Sequence, residues 1–302
     1  MRIDHWFKNV FVLPGVVVAL GFSAPISVAH LLQKLALALL ATCLIASSNY
    51  VLNELLDAPT DLHHPTKYLR PVPSGLVNIR LAYAQWLVLA AIGLLLALAV
   101  SHQVAAVLAV LWLMGCVYNA PPFRSKDIPY VDVLSEAINN PLRMLVGWYV
   151  VSPAGWAPIS LLVSYWMVGC YFMALKRFAE LREFDDVAQA TRYRKSFAHI
   201  TPDGLLVTVM FYASAAMLFF GAFAMRYHLE LLGSFPFIAL VMASYLSLSF
   251  VPNSPVQKPE QLYRAPALMA SVVVCVAVMC ALFFADLPVM HRMFTPTTQG
   301  SR

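Results

Sequence analysis

About nine apolar stretches of membrane length run through this 302-residue chain, at 10–28, 32–52, 80–100, 103–120, 130–151, 156–175, 204–225, 231–250 and 266–286. A helix needs about twenty apolar residues to cross the hydrocarbon core, and there each backbone N–H and C=O must find its partner within the protein. The pattern therefore predicts an all-α integral membrane protein of about nine transmembrane helices. Charged residues are only 12% of the chain, where soluble domains carry about a quarter. The helices are expected to form one bundle and one domain over 1–290, with 291–302 as a flexible tail. The first stretch leads into further spans and lacks a small-residue cleavage pattern, so no cleavable signal peptide is expected.

Loop charges set the orientation. Arg2 and Lys8 precede the first span; Lys67, Arg70 and Arg80 follow the second; Arg124 and Lys126 follow the fourth. Lys176, Arg177, Arg182, Arg192, Arg194 and Lys195 follow the sixth, and Lys258 and Arg264 the eighth. The intervening loops carry almost no charge, which predicts a cytoplasmic N-terminus and cytoplasmic polar loops. The net charge of +5 is spread over these short loops, so it points to no nucleic-acid partner. Cys43, Cys116, Cys170, Cys275 and Cys280 all fall in apolar segments without metal-ligand spacing to histidine, and read as packing residues.

The most informative polar segment ends the second span. Asn49, Asn53, Asp57 and Asp61 recur every four residues and share one face if the helix runs that far, with Glu54 beside them. Carboxylates on one face suit a hard divalent cation, and Lys67 and Arg70 suit the anion it would bridge. The plain alternative is an ordinary polar helix end. His63 and His64 point in different directions from adjacent positions and read as loop residues.

A second cluster comprises Tyr118, Arg124 and Lys126, then Asp132, Glu136, Asn139, Asn140 and Arg143 on one stripe of the fifth span, with a kink expected near Pro141. Ionisable residues in a span usually face a cavity and mark function, although a structural Glu136–Arg143 network is the alternative. A third cluster follows the sixth span, where Lys176, Arg177 and Glu180 are the site candidates. Arg192, Arg194 and Lys195 read there as a positive-inside anchor. All three clusters fall on the cytoplasmic face, which predicts one cavity for a magnesium-bound diphosphate beneath an apolar lipid channel.

Asn53-Glu54-x-x-Asp57-x-x-x-Asp61, with Arg70-Pro71 and Ser74-Gly75 after it, resembles the first aspartate motif of the UbiA superfamily of intramembrane prenyltransferases, with Glu54 in place of the usual aspartate. Arg2-x-x-x-Trp6-x-Lys8-Asn9, His64-Pro65-Thr66-Lys67 and Lys176-Arg177-Phe178-Ala179-Glu180-Leu181 are similar to the decaprenyl-phosphate phosphoribosyltransferase branch. The second DxxxD motif typical of aromatic prenyltransferases is not reproduced by Asp185-Asp186. The resemblance implies a transferase of a bacterial inner membrane, with its active site facing the cytoplasm. It would move 5-phosphoribose from phosphoribosyl diphosphate to a polyprenyl phosphate. Asn53, Asp57 and Asp61, helped by Glu54, would hold Mg2+. Lys8, Asn49, Lys67, Arg70, Tyr118, Lys126, Glu136, Asn140, Arg143, Lys176, Arg177 and Glu180 would hold substrate. Prenyl transfer to an aromatic or lipid acceptor is the alternative, a transporter or scaffold is a further one, and homo-oligomerisation stays open.

Overall fold

The computed structural model describes residues 3–23, 26–62, 67–184 and 186–294, without the side chains of residues 3–5, 60, 67, 259 and 260. Arg2, His63, His64, Pro65, Thr66, Asp185 and 295–302 lie outside the described residues. Every regular element described is helical. The chain is an all-helical membrane protein. It divides into two compact units, Met1–Ala157 with Asp186–Ile200, and Pro158–Asp185 with Thr201–Arg302.

The first unit contains α1 (Leu13–Phe22), α2 (Val28–Asp61), α3 (Ile79–Val100), α4 (His102–Asn119), α5 (Val131–Ala137) and α6 (Asn139–Val151). The second takes in α7 (Ile159–Leu181), the first unit adds α8 (Val187–Tyr193), and the second continues with α9 (Pro202–Tyr227), α10 (Phe235–Ser249), α11 (Pro266–Phe283) and α12 (Pro288–Phe294). The last of these extends three residues past 291, into the segment expected to be a tail.

Seven helices among the described residues are long and apolar enough to cross a membrane, against the nine expected. Proline accounts for the two differences. Pro14 has no N–H to donate and suits only a helix start, so α1 begins at Leu13 after a 3-10 segment (Ile3–Val12), and the apolar stretch Trp6–Phe22 is short. The fifth stretch breaks at Ile138, upstream of the expected kink at Pro141. Restarting at Asn139 puts Pro141 in the first turn of α6, where no intrahelical hydrogen bond is lost.

In the first unit α2 packs against α3, α4 and α6, and α1 packs on α6. The α1–α6 approach is backbone-close. A Cβ on Gly15 would lie 1.9 Å from the Met144 carbonyl oxygen, and one on Gly147 would lie 2.0 Å from that of Val12. Such contacts need glycine on both helices, the small-residue packing that membrane helices favour. Trp6 Nε1 donates to Ser47 Oγ at 3.0 Å, and Asn9 Oδ1 accepts from Arg143 Nε at 3.0 Å, tying the N-terminal segment to α2 and α6.

α2 runs unbroken through Asn53, Asp57 and Asp61, as the four-residue spacing required. At about 1.5 Å per residue its 34 residues exceed the hydrocarbon thickness, so its last turns can carry charge beyond the apolar layer. The loop after it folds back: Val72 and Val77 pack on the Val51–Leu55–Ala82 cluster between α2 and α3. In the second unit α7 packs on α9, and Tyr171 donates to the Met242 carbonyl at 2.7 Å.

Candidate active site

One end of the first unit gathers the C-termini of α2 and α4, the 120–130 loop, and α8 with the 3-10 turn Lys195–His199 that follows it. Asp57 and Asp61 stand one helical turn apart at the end of α2. Asp57 Oδ1 accepts from Lys126 Nζ at 2.5 Å and from Arg124 Nη2 at 2.9 Å. Asp61, which is buried, accepts from Arg70 Nη1 at 2.6 Å through Oδ2.

Arg124 is held on three sides, donating also to Asp127 Oδ2 at 2.8 Å and to the Asn119 carbonyl at 3.2 Å. Its backbone has φ 35, a left-handed conformation that costs energy in a non-glycine residue and concentrates at functional sites. Lys126 is buried. Desolvation holds its ammonium pKa below the usual lysine value, and the Asp57 carboxylate partly offsets that.

Asn119 is the hub that ties these groups to the membrane helices. Its Oδ1 accepts from Lys126 Nζ at 3.0 Å and from Asn53 Nδ2 at 2.5 Å, while its Nδ2 donates to the Gly115 carbonyl at 2.9 Å. A Cβ at Gly115 would meet Asn49 Cγ at 2.1 Å, so this glycine makes the room Asn49 occupies. Asn49 Nδ2 donates to the Leu111 carbonyl at 3.0 Å, and its Oδ1 is buried with no hydrogen-bond partner among the described residues. Glu54 Oε1 accepts from the Val72 N–H at 3.0 Å and so ties α2 to the loop that carries Arg70.

A cavity of about 230 Å3 opens among these groups, lined by Asp57, Asp61, Arg124, Lys126 and Asp127 together with Thr191, Arg192, Tyr193, Arg194 and Lys195. The segment read as a membrane anchor thus forms a wall of the cavity. Arg194 holds it there, donating to the fully buried Asp132 at 3.0 Å and to the Lys126 carbonyl at 3.4 Å. No signal in the sequence separates this cationic segment from an ordinary positive-inside loop.

The residues present fit a magnesium ion. Mg2+ takes one or two carboxylates and completes its shell with water and substrate phosphate oxygens, so two aspartates a turn apart suffice. Asp57 and Asp61 each meet their cations through one oxygen, leaving Asp57 Oδ2 and Asp61 Oδ1 without a partner among the described residues. Asn53, one helical turn before Asp57 on α2, is the third candidate ligand, its Nδ2 held by Asn119 Oδ1.

The remaining candidates fall elsewhere. Tyr118 donates to Glu136 Oε2 at 3.0 Å. Arg143 is buried against Asn9 and the Asn139 carbonyl, Asn140 is half-buried in the first turn of α6, and Lys8 is half-buried in the N-terminal segment. The side chain of Lys67 lies outside the described residues. In the second unit Arg177 is wholly buried and donates to Glu180 Oε2 at 3.0 Å, with Lys176 Nζ 3.9 Å from Oε1 of the same carboxylate.

These features are an all-helical membrane fold and, at one end of its first unit, paired aspartates among cations. The profile described as the UbiA prenyltransferase family matches residues 9–272, and the chain belongs to that family, a family of transferases. It is 28% identical over 232 residues to the decaprenyl-phosphate phosphoribosyltransferase of Mycolicibacterium smegmatis, covering 74% of this chain and 68% of that protein. With the Mycobacterium tuberculosis (strain H37Rv) protein of the same name it shares 29% identity over 230 residues, 74% of this chain and 72% of that one. The fold matches the solved structure of a UbiA homologue from Archaeoglobus fulgidus bound to GPP and Mg2+, with a TM-score of 0.66 at 18% identity over 91% of this chain and 97% of that chain.

Proposed function

We propose that this protein transfers 5-phosphoribose from 5-phosphoribosyl diphosphate to a polyprenyl phosphate and releases diphosphate. The observation that carries the reading is the cavity wall: among the described residues it has five basic residues, three acidic residues, Thr191 and Tyr193, with no aliphatic side chain. An allylic diphosphate presents hydrocarbon directly beyond its phosphates and gains nothing from such a wall. A phosphorylated sugar presents hydroxyls and a further anion. The mycobacterial relatives carry the same activity in their names.

In this reading Asp57 and Asp61, with Asn53, would hold magnesium, which would supply positive charge to stabilise the departing diphosphate. Arg70, Arg124 and Lys126 orient the aspartates and face the phosphates. The lipid phosphate is already an anionic nucleophile, so no strong general base is required. Lys8, Lys67, Tyr118, Glu136, Asn140, Arg143, Lys176, Arg177 and Glu180 serve substrate binding or its support. Residues 1–290 would form one bundle in a bacterial inner membrane, with the site on the cytoplasmic face.

Prenyl transfer remains the second reading, favoured by the shared aspartate pair and by the GPP and Mg2+ bound to the Archaeoglobus relative. The test is incubation of purified protein with magnesium, labelled phosphoribosyl diphosphate and a polyprenyl phosphate. Label in the lipid fraction that disappears with a chelator supports phosphoribosyl transfer; unlabelled lipid overturns it.

A further inference from the structure

Most charges around the cavity are committed to one another. Asp57 is taken by Arg124 and Lys126, Asp61 by Arg70, and the buried Asp132 by Arg194. Asp127 is taken by Arg124 at 2.8 Å. Two cations stand apart from this accounting. Arg192 is exposed, lines the cavity, and has no ion-pair partner among the described residues. Lys195 also lines it, with its side chain 71% exposed and its ammonium 3.8 Å from Asp127, beyond hydrogen-bond distance.

These two flank a residue that is fixed. Arg194 is anchored to Asp132 and to the Lys126 carbonyl, and Lys126 is in turn bonded to Asp57. Behind them Phe197 is fully buried, its ring 6.5 Å from that of Tyr193, and Asp186 caps α8 through the Ala188 N–H. A solvated membrane anchor needs none of this attachment. The segment is a scaffolded cationic wall of the cavity that the aspartates also line.

We infer that Arg192 and Lys195 form a monophosphate subsite that reads the 5-phosphate of the donor, separate from the diphosphate site at Asp57 and Asp61. This rests on the phosphoribosyl reading above. A phosphate monoester carries close to two negative charges at neutral pH, which Arg192 and the loosely held Lys195 match. Arginine adds bidentate geometry and lysine a point charge. Arg194 acts as a positioning residue and the other two make the contact.

The test uses the full chain in lipid nanodiscs with magnesium and compares wild type with an Arg192→Gln/Lys195→Gln variant. Two readouts are taken: KM for phosphoribosyl diphosphate, and the inhibition constant of inorganic diphosphate. The subsite predicts KM raised about 30-fold, from the loss of charge-assisted hydrogen bonds, with diphosphate inhibition unchanged within about twofold. An Arg192→Lys/Lys195→Arg variant should recover most of the loss, and separates lost charge from lost fold. If KM and the inhibition constant rise together, the segment binds the diphosphate and the subsite is overturned. If neither moves, it is a solvated anchor and the subsite is again overturned. A wild-type protein that turns over an allylic diphosphate and no phosphoribosyl diphosphate overturns the donor reading itself, before any variant is compared.

Discussion

Lys126 Nζ and Asp57 Oδ1 meet at 2.5 Å across 69 residues of sequence, and Lys126 also donates to Asn119, which holds Asn53. The aspartate motif on α2 is therefore locked to the loop after α4 by a buried cation. That link explains how a polar site is kept rigid at the end of an apolar unit.

Asp57→Asn keeps the shape of the side chain and removes its charge. Turnover is expected to fall about 100-fold or more, with a higher magnesium requirement. Asp61→Asn should behave alike. Wild-type magnesium dependence in either variant, measured in nanodiscs, would contradict the metal assignment.

Glu54 separates two roles. If it serves as the loop clamp that its bond to the Val72 N–H describes, Glu54→Gln retains an acceptor and should cost no more than about fivefold in kcat/KM. Glu54→Ala should cost more, chiefly in KM, because the Arg70 loop loosens. A collapse of kcat in Glu54→Gln would return this residue to the metal.

Asp132 is fully buried and paired with Arg194, whose side chain keeps a fifth of its surface exposed. Asp132→Ala leaves that guanidinium without its counter-charge. The expected loss is about 2–3 kcal/mol, discounted for the exposure of Arg194, and is read as a lower unfolding temperature. Binding of phosphoribosyl diphosphate should weaken as well, since the 191–195 wall loses its anchor.

Gly147→Ala is expected to destabilise strongly, because the new Cβ would fall 2.0 Å from the Val12 carbonyl oxygen and backbone cannot step aside. Gly221→Ala meets only a Phe235 ring carbon at 3.6 Å and should be nearly neutral. Thermal unfolding of the two variants compares them directly.

Much of this was legible in the sequence. The spacing of Asn53, Asp57 and Asp61 required a continuous helix, and α2 is one through Asp61. The apolar runs marked seven long helices, because length and hydropathy are local properties. Pro14 and Pro141 lie in the two stretches that do not form one long helix among the described residues, since their effect is to decide where a helix starts, which hydropathy does not register. The Asp132–Arg194 pair spans 62 residues and was invisible for a different reason. A loop arginine serving as a membrane anchor and one tied to a buried carboxylate look the same in one dimension, and only the fold brings Asp132 beneath it. Asn119 was missed likewise: a lone asparagine at a helix end gives no hint that it joins Asn53 to Lys126.

The central claim is the donor. Purified protein with magnesium is given phosphoribosyl diphosphate plus decaprenyl phosphate in one reaction, and geranyl diphosphate plus 4-hydroxybenzoate in another. The account predicts lipid-linked phosphoribose and free diphosphate in the first and no product in the second. Prenylated acceptor in the second with none in the first would contradict it.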